Sequence, residues 1–424
     1  MKDIFIKYQQ YIGCLNYAVF MLILFFLPFP WKYVQPLIVV WLATWALEGR
    51  WLQKNHFRFN RSHVPLLLVA LLVVWEGISL LWTSEYDSGI SEVNRHLPIL
   101  AIFLISLFGV NEHYHPVKLK IALYVGSLCS ILSYFTILYW WTTNERIPFE
   151  SVWPDWDIWT PLGNPIIALI KHHQYYCMVL LLALCFSGDI YRYCAERYNR
   201  FSALLTVGIG DVLLTSVIIL SGSRTMMVML PIVAVLSLWW TLHGIKRWLT
   251  LAGVVIVMGL SGLWLNRHNS RFIRTQHDVS QIDIQQIKEQ PMSREPRIYI
   301  WHTIFTHRKE YGVLGMGVGT SDAFLYHCYE QDGNGYLTFG PHSCYLKTWM
   351  EMGPIAALLL IAIMCLSIIL HSPHVRRDAV WVSLVMGLAM LTESCFSRMS
   401  GLYILLSMCI LLSISERFVE QSLR

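Results

Sequence analysis

Three side chains in this sequence are suited to chemistry on a phosphorylated substrate: Arg224, Arg297 and His342. Arginine binds phosphate through two parallel N–H donors and stays charged, so it can neutralise an anionic leaving group as it departs. Histidine titrates near neutral pH and can take a proton from an attacking hydroxyl. These residue types together predict a site that holds an anionic group and activates a hydroxyl.

Arg297 lies in the one long polar interval of the chain, residues 266–341, and His342 begins the apolar stretch that follows. Ser293 can cap a short helix in this interval, with Pro296 in its first turn and Gly312 beyond its end. The apolar face expected for that helix consists of Ile298, Trp301, Ile304 and Phe305. We therefore predict an amphipathic helix that rests on the membrane or on the mouth of a helix bundle, with Arg297 directed inward.

His342 is predicted to open a span, with Tyr345 and Trp349 on the same face. Lys347 and Glu351 are spaced as an i, i+4 ion pair. The preceding turn, Gly315-Met316-Gly317-Val318-Gly319, follows no strand and opens no βαβ unit. A nucleotide loop is therefore rejected, and backbone flexibility is taken as the reason for these glycines.

Arg224 follows a tight turn, Ser221-Gly222-Ser223, and stands in the first helical turn of an apolar span. A charge so close to hydrocarbon is costly unless it faces a cavity or an anion. Snorkelling of the side chain to lipid headgroups is the alternative. The positive end of the helix dipole favours phosphate at this place, so we interpret Arg224 as part of an anion site.

The elements that must position these residues are membrane helices. Hydrophobic residues make up 55% of the 424 residues and charged residues only 14%, which indicates a polytopic membrane protein. A span needs about 20 apolar residues, and we predict an all-α protein with about twelve transmembrane helices. The approximate spans are 14–30, 33–49, 64–82, 97–110, 118–141, 165–187, 201–220, 224–243, 248–265, 342–370, 379–396 and 399–415.

Lys and Arg concentrate in alternate connections and near both termini, which predicts cytoplasmic termini and a long loop on the opposite, periplasmic side. The predicted organisation is residues 1–265 for helices 1–9, residues 266–341 for the periplasmic loop, and residues 342–424 for helices 10–12. The formal charge of +5 mostly reflects this orientation bias and gives no reason to expect nucleic acid as a partner.

Several other polar residues have two interpretations. Glu76 and Asp211 lie within spans, where a carboxylate is either functional or a partnered structural group. No His/Cys cluster has the spacing of metal ligands, so neither a metal nor another cofactor is expected. Cys328 and Cys344 both fall on the predicted outer side, where a disulfide is one alternative.

The motifs together resemble the O-antigen ligase superfamily, which also contains O-antigen polymerases and oligosaccharyl ligases for proteins. The matching segments are Ser221-Gly222-Ser223-Arg224, Arg297-x-x-x-Trp301, Gly315-Met316-Gly317-x-Gly319, Pro341-His342-x-x-Tyr345-Leu346, and Glu351-x-Gly353. Ser343 departs from the family, which often has Asn after the histidine. Lys171-His172-His173 before a span, and Glu393 with Arg398 near the last external turn, fit the family more loosely.

That resemblance implies a membrane-embedded glycosyltransferase of the C class in the bacterial inner membrane. The implied donor is a glycan on undecaprenyl pyrophosphate and the implied acceptor is the lipid A–core of lipopolysaccharide. Arg224, Arg297 and His342 are then catalytic, in a metal-independent and inverting reaction on the periplasmic side. The additional substrate-binding candidates are Lys171, His173, Arg294, Trp301, Tyr345, Glu393 and Arg398.

Three other functions remain open at this stage. An O-antigen polymerase would use the same donor with a lipid-linked glycan as acceptor. A protein O-oligosaccharyltransferase would glycosylate Ser or Thr. A twelve-helix transporter or flippase would use Asp211 and Glu76 as coupling carboxylates, but the two halves of the chain show no detectable repeat.

Overall fold

A computed structural model describes residues 2–52, 57–144, 173–221, 223–241, 244–250 and 296–422, with 252, 253, 256 and 259. Within these residues every regular element is helical. The chain divides into two compact units: unit 1 is Met1–His56, Val110–Arg274 and Arg417–Arg424, and unit 2 is Phe57–Gly109 and Thr275–Glu416.

Unit 1 is built from long apolar helices. Those described are α1 (Lys2–Phe26), α2 (Trp31–Glu48), α5 (Pro116–Asn144), α6 (His173–Arg197), α7 (Arg200–Leu220) and α8 (Arg224–Thr241). Among the polar side chains inside this unit, the hydroxyl of Tyr124 donates to Asp211 over 2.9 Å, and Lys120 contacts Asp189. Asp211 therefore has the partner that is expected of a structural carboxylate within a span.

Unit 2 contains α3 (Val64–Ser79), α4 (Tyr86–Phe108), α9 (Pro296–Thr306), α10 (Ser321–Gln331), α11 (Cys344–Met352), α12 (Pro354–Leu370), α13 (Arg376–Thr392) and most of α14 (Met399–Ser422). Glu76 of α3 lies 2.7 Å from His96 of α4, and both side chains are buried. Like Asp211, Glu76 is a partnered carboxylate.

Seven of the described helical segments are long and apolar enough to cross a membrane, and two shorter apolar helices accompany them. The seven are Lys7–Phe26, Arg61–Ser79, Tyr86–Phe108, Pro116–Ser133, Gln174–Arg197, Arg200–Ile219 and Met399–Ser422. Most of the predicted span 248–265 and residues 266–295 of the predicted loop lie outside the described residues. A multi-pass membrane protein is therefore supported.

Two predicted spans have different limits in the structure. The span placed at 97–110 belongs to a helix that begins at Tyr86, because the buried polar residues of its first half have partners that the apolarity pattern cannot reveal. The span placed at 342–370 is two helices, α11 and α12. They separate at Gly353, whose φ of +87° breaks the helix before Pro354.

Candidate functional site

Arg297 and His342 face the same carboxylate in unit 2. A guanidinium nitrogen of Arg297 donates to Glu393 Oε1 over 3.1 Å, and His342 Nδ1 lies 3.8 Å from Glu393 Oε2. Glu393 is 11% exposed, whereas Arg297 and His342 keep 28% and 33% of their side chains exposed. The carboxylate is thus enclosed, while both partners still present surface to a substrate.

Helix α9 positions Arg297 and reaches the backbone beside His342. Arg297 is in the first turn of α9, and Trp301 follows one turn later. The Trp301 indole N–H donates to the carbonyl oxygen of Pro341 over 3.2 Å. One short helix therefore places the guanidinium and fixes the residue that precedes His342.

His342 has an unusual backbone conformation. Its φ of +47° is the one positive value at a non-glycine residue in the described part of the chain. Ser343, not His342, caps α11, with its hydroxyl accepting from Leu346 N over 3.4 Å. The prediction that His342 opens the helix was therefore wrong by two positions. A left-handed conformation at a side-chain-bearing residue costs about 1–3 kcal/mol and often occurs at functional sites.

Glu393 ends α13, and the segment after it is held by α4. Arg95 donates to the carbonyl oxygen of Ser397 over 2.6 Å, and His96 Nε2 lies 2.9 Å from that of Phe396. These contacts fix residues 393–398 against α4. The sequence offered no sign of this support, because Arg95 and Ser397 are about 300 positions apart.

The helix that follows His342 is also anchored to α4. Lys347 lies 2.7 Å from Glu92 and 3.4 Å from Glu351, so the predicted i, i+4 pair with Glu351 is confirmed. Glu351 also accepts from the backbone and hydroxyl of Ser321, at the start of α10. Glu92 is a buried partner of Lys347.

A cavity of about 50 Å³ lies beside this charge cluster. Glu76, Glu92, His96, Lys347 and Glu351 contribute its polar wall, and residues such as Val69, Val73 and Leu360 contribute its apolar wall. At about 10–15 Å³ for each water, a space of this size has room for about three to five waters. The Glu92–Lys347–Glu351 cluster is thus a buried polar centre that connects α4, α10 and α11.

The glycine turn is tightly packed, so its interpretation as flexible backbone was wrong. Gly315, Gly317 and Gly319 have φ values of +76°, +98° and +84°. A Cβ on Gly317 would lie 2.6 Å from Thr83 Cα, and one on Gly315 would lie 2.3 Å from the carbonyl of Glu351. Glycine is therefore required here both by the backbone conformation and by the close approach of neighbouring backbone.

Helix α9 is the core of a small folded segment, residues 296–341, which we call the loop subdomain. Its buried residues are Tyr299, Ile300, Thr303 and Ile304, and Phe305 is exposed. The buried face of α9 is therefore rotated relative to the predicted apolar face, because α9 packs against α10 as well as against α11. Burial raises the pKa of Tyr299 to about 12, which keeps its hydroxyl as a donor to Asp332, 3.0 Å away.

Two other predicted site residues, Tyr345 and Arg398, do not contact Glu393 in the structure. Tyr345 donates to the carbonyl oxygen of Gly387 over 3.0 Å, and Arg398 is exposed. Arg224 is the first residue of α8 in unit 1, and the described features do not include its side chain or that of His173. Lys171 and Arg294 lie outside the described residues.

The cysteines of the loop region are reduced. Cys328 and Cys344 are both buried free thiols, so they do not form the disulfide that the sequence left open. Burial raises the pKa of Cys328 to about 11, which keeps this thiol protonated and unreactive. In the described part of the chain, no three His, Cys, Asp or Glu side chains are grouped to hold a metal ion.

A protein-family model matches part of the chain. The family model described as O-Antigen ligase covers residues 209–361, which include Arg224, Arg297 and His342, whereas Glu393 lies beyond it. Comparisons with curated proteins and with solved structures returned no match.

Proposed function

We propose that the chain is a member of the O-antigen ligase/polymerase superfamily, whose family model covers residues 209–361, and that it acts as an O-antigen ligase. In this proposal it transfers a glycan from undecaprenyl pyrophosphate to the lipid A–core of lipopolysaccharide, on the periplasmic side of the bacterial inner membrane. The observation that carries the proposal is the convergence of Arg297 and His342 on Glu393. It joins a phosphate-binding cation and a candidate base in one site.

The proposed reaction is a single displacement at the anomeric carbon. An acceptor hydroxyl oxygen forms the new bond to that carbon, the bond to the pyrophosphate oxygen breaks, and undecaprenyl pyrophosphate leaves with the bonding electrons. His342 takes the hydroxyl proton, and attack opposite the leaving group inverts the configuration. Arg297 and Arg224 neutralise the charge that develops on the pyrophosphate, the role that a divalent cation has in other transferases.

Glu393 has two roles in this mechanism. It orients His342 through Nδ1, so that Nε2 is left for the acceptor hydroxyl, and it stabilises the imidazolium that forms after proton transfer. It also holds Arg297 until the pyrophosphate arrives to compete for the guanidinium. The distance of 3.8 Å between His342 and Glu393 exceeds a hydrogen bond, and we expect it to shorten once substrate binds.

The larger architecture is part of the same proposal. We propose twelve transmembrane helices with both termini in the cytoplasm and a periplasmic loop between helices 9 and 10. Arg224, at the start of α8, is proposed as a second arginine for the pyrophosphate. Trp301 would act by fixing the backbone before His342, and Lys171, His173, Arg294, Tyr345 and Arg398 remain candidates for contacts with the glycan or the acceptor.

The test is reconstitution of the purified protein with lipid-linked glycan and rough lipopolysaccharide, with product scored by its shift on a gel. We expect product from the wild type with or without EDTA, and none from Arg297→Ala or His342→Ala. Matched controls are Arg376→Ala and His327→Ala, which remove exposed side chains of the same types and should leave activity intact. Full activity of His342→Ala would refute the proposed base.

A deletion strain separates the ligase from its relatives. Loss of the ligase leaves polymer on undecaprenyl carrier and none on lipid A–core. Single repeat units would accumulate if the protein were a polymerase, and loss of glycan from a secreted protein would indicate a protein O-oligosaccharyltransferase. A transporter or flippase would tolerate Arg297→Ala and His342→Ala but fail with Asp211→Asn, the reverse of the ligase pattern.

A further inference from the structure

The turn that links α9 to the glycine-rich segment exposes an apolar tip. Val313 and Leu314 are 66% and 54% exposed, whereas the aliphatic residues Ile300, Ile304 and Leu325 of the loop subdomain are buried. Gly312, with φ of +66°, directs the chain into this tip. Exposed apolar patches mark contacts with a protein or a membrane once they extend beyond isolated side chains, and the tip is part of a larger apolar surface.

The tip adjoins the beginning of an apolar helix. A Cβ on Gly353 would lie 2.0 Å from the carbonyl oxygen of Val313, so Val313 packs directly against the residue before α12. Ile355, in the first turn of α12, is 68% exposed, and Leu358 and Ile361 continue the same exposed face at helical spacing. The apolar tip thus extends the lipid-facing surface of α12.

The adjoining backbone marks the end of a membrane span. The candidate span Arg61–Ser79 ends at Ser79, and the Ser79 hydroxyl accepts from Val318 N over 3.0 Å. Trp82 donates to the carbonyl oxygen of Gly315 over 3.2 Å, and Trp75 donates to that of Met352 over 3.4 Å. Tryptophans that present a ring to lipid and an N–H to polar groups are enriched at the membrane–water interface.

Two cations stand next to the tip. Arg308 and Lys309 are both exposed, and Arg308 donates to the carbonyl oxygen of Phe305 at the end of α9. Glu310 is exposed as well, so the segment carries a net positive charge of about one. A cation pair beside inserted aliphatic side chains is the pattern of segments that bind anionic lipid headgroups.

We propose that Val313 and Leu314 insert into the interface of an anionic phospholipid bilayer, with Arg308 and Lys309 on the headgroups. The tip, and not the amphipathic face of α9, is then the membrane contact of the loop subdomain. Insertion holds Arg297 and His342 at a fixed height above the bilayer. The inference concerns lipid contact alone and does not depend on which reaction the site performs.

The test places a fluorophore at the tip. Val313→Cys is labelled with an environment-sensitive dye in a protein whose exposed Cys14 and Cys365 are replaced by serine. The labelled protein is reconstituted into phosphatidylethanolamine–phosphatidylglycerol vesicles that contain a nitroxide lipid labelled near the headgroup. The matched control is Gln331→Cys, exposed at the end of α10 away from Ser321 and the glycine turn.

We expect a blue-shifted emission for the label at 313 and at least threefold stronger nitroxide quenching than for the label at 331. Equal quenching at the two positions would overturn the proposal. A shielded label at 313 that nitroxide lipid does not quench would also overturn it and would indicate a protein partner instead. Replacing phosphatidylglycerol with phosphatidylcholine should reduce the quenching of the label at 313 by half or more, and so should replacing Arg308 and Lys309 with glutamine. Unchanged quenching would refute the role assigned to the two cations.

Discussion

Removing Lys347 should destabilise unit 2 severely. Lys347 is the cation between Glu92 and Glu351, at 2.7 and 3.4 Å; both carboxylates are buried, and the Lys347 side chain is 13% exposed. Lys347→Met leaves two carboxylates close together without a counter-charge. Breaking a buried ion pair by removing one partner costs about 3–5 kcal/mol, which corresponds to a fall in apparent Tm of roughly 10 °C.

Two further variants show whether charge is the cause. The triple variant Glu92→Gln/Lys347→Met/Glu351→Gln removes all three charges of this cluster. Most of the lost stability should return, because replacing a whole buried ion network with uncharged residues often changes stability little. Glu330→Gln removes one partner of the exposed His327–Glu330 pair and should change stability by less than about 0.5 kcal/mol. Thermal unfolding in nanodiscs, followed by size-exclusion fluorescence, measures all three. A Lys347→Met protein as stable as Glu330→Gln would refute the reasoning.

Three other substitutions test the site and its support. At 3.8 Å and an effective dielectric constant of 20, loss of the Glu393 charge beside His342 costs at most about 4 kcal/mol, and partial exposure reduces this cost to about 1–2 kcal/mol. Glu393→Gln should therefore lower kcat about 5–30-fold. An unchanged kcat would contradict the role assigned to Glu393. Trp301→Phe keeps an aromatic ring at this position but loses the hydrogen bond to the carbonyl oxygen of Pro341. An assay of glycan transfer should show a fall in kcat of up to about tenfold, with Tm nearly unchanged. Gly317→Ala, which would clash with Thr83, should lower Tm more than Gly333→Ala, where nothing lies within 4 Å; equal losses would mean that only the left-handed backbone matters.

Local sequence was sufficient for features that depend on near neighbours. The helix beginning at Pro296 has a proline suited to the first helical turn, and the Lys347–Glu351 pair follows from helical spacing. The apolar spans follow from composition, and family motifs directed attention to Arg297 and His342. The division of the predicted tenth span into two helices also had a local signal, Gly353 followed by Pro354. A count of apolar residues does not detect this signal.

Features that depend on distant partners were not predictable. Nothing in the local sequence marks Glu92 as the partner of Lys347, which lies 255 positions later by their numbers. The glycines of the turn serve close packing against Thr83, Gly89 and Glu351, and sequence alone does not distinguish that use from flexibility. Glu393 fitted the family loosely, but its position between Arg297 and His342 required the fold.

The central claim is that Arg297 and His342 serve one reaction step through one site. The most direct test is a double-mutant cycle on the rate of glycan transfer, with saturating lipid-linked donor, for Arg297→Lys, His342→Gln and the combined variant. Residues that act as a unit are strongly non-additive. We predict that each single substitution lowers the rate by a factor of about 10² or more. The rate of the double variant should be less than about tenfold below that of the less active single variant. Losses that multiply independently, or a His342→Gln protein with wild-type rate, would contradict the account.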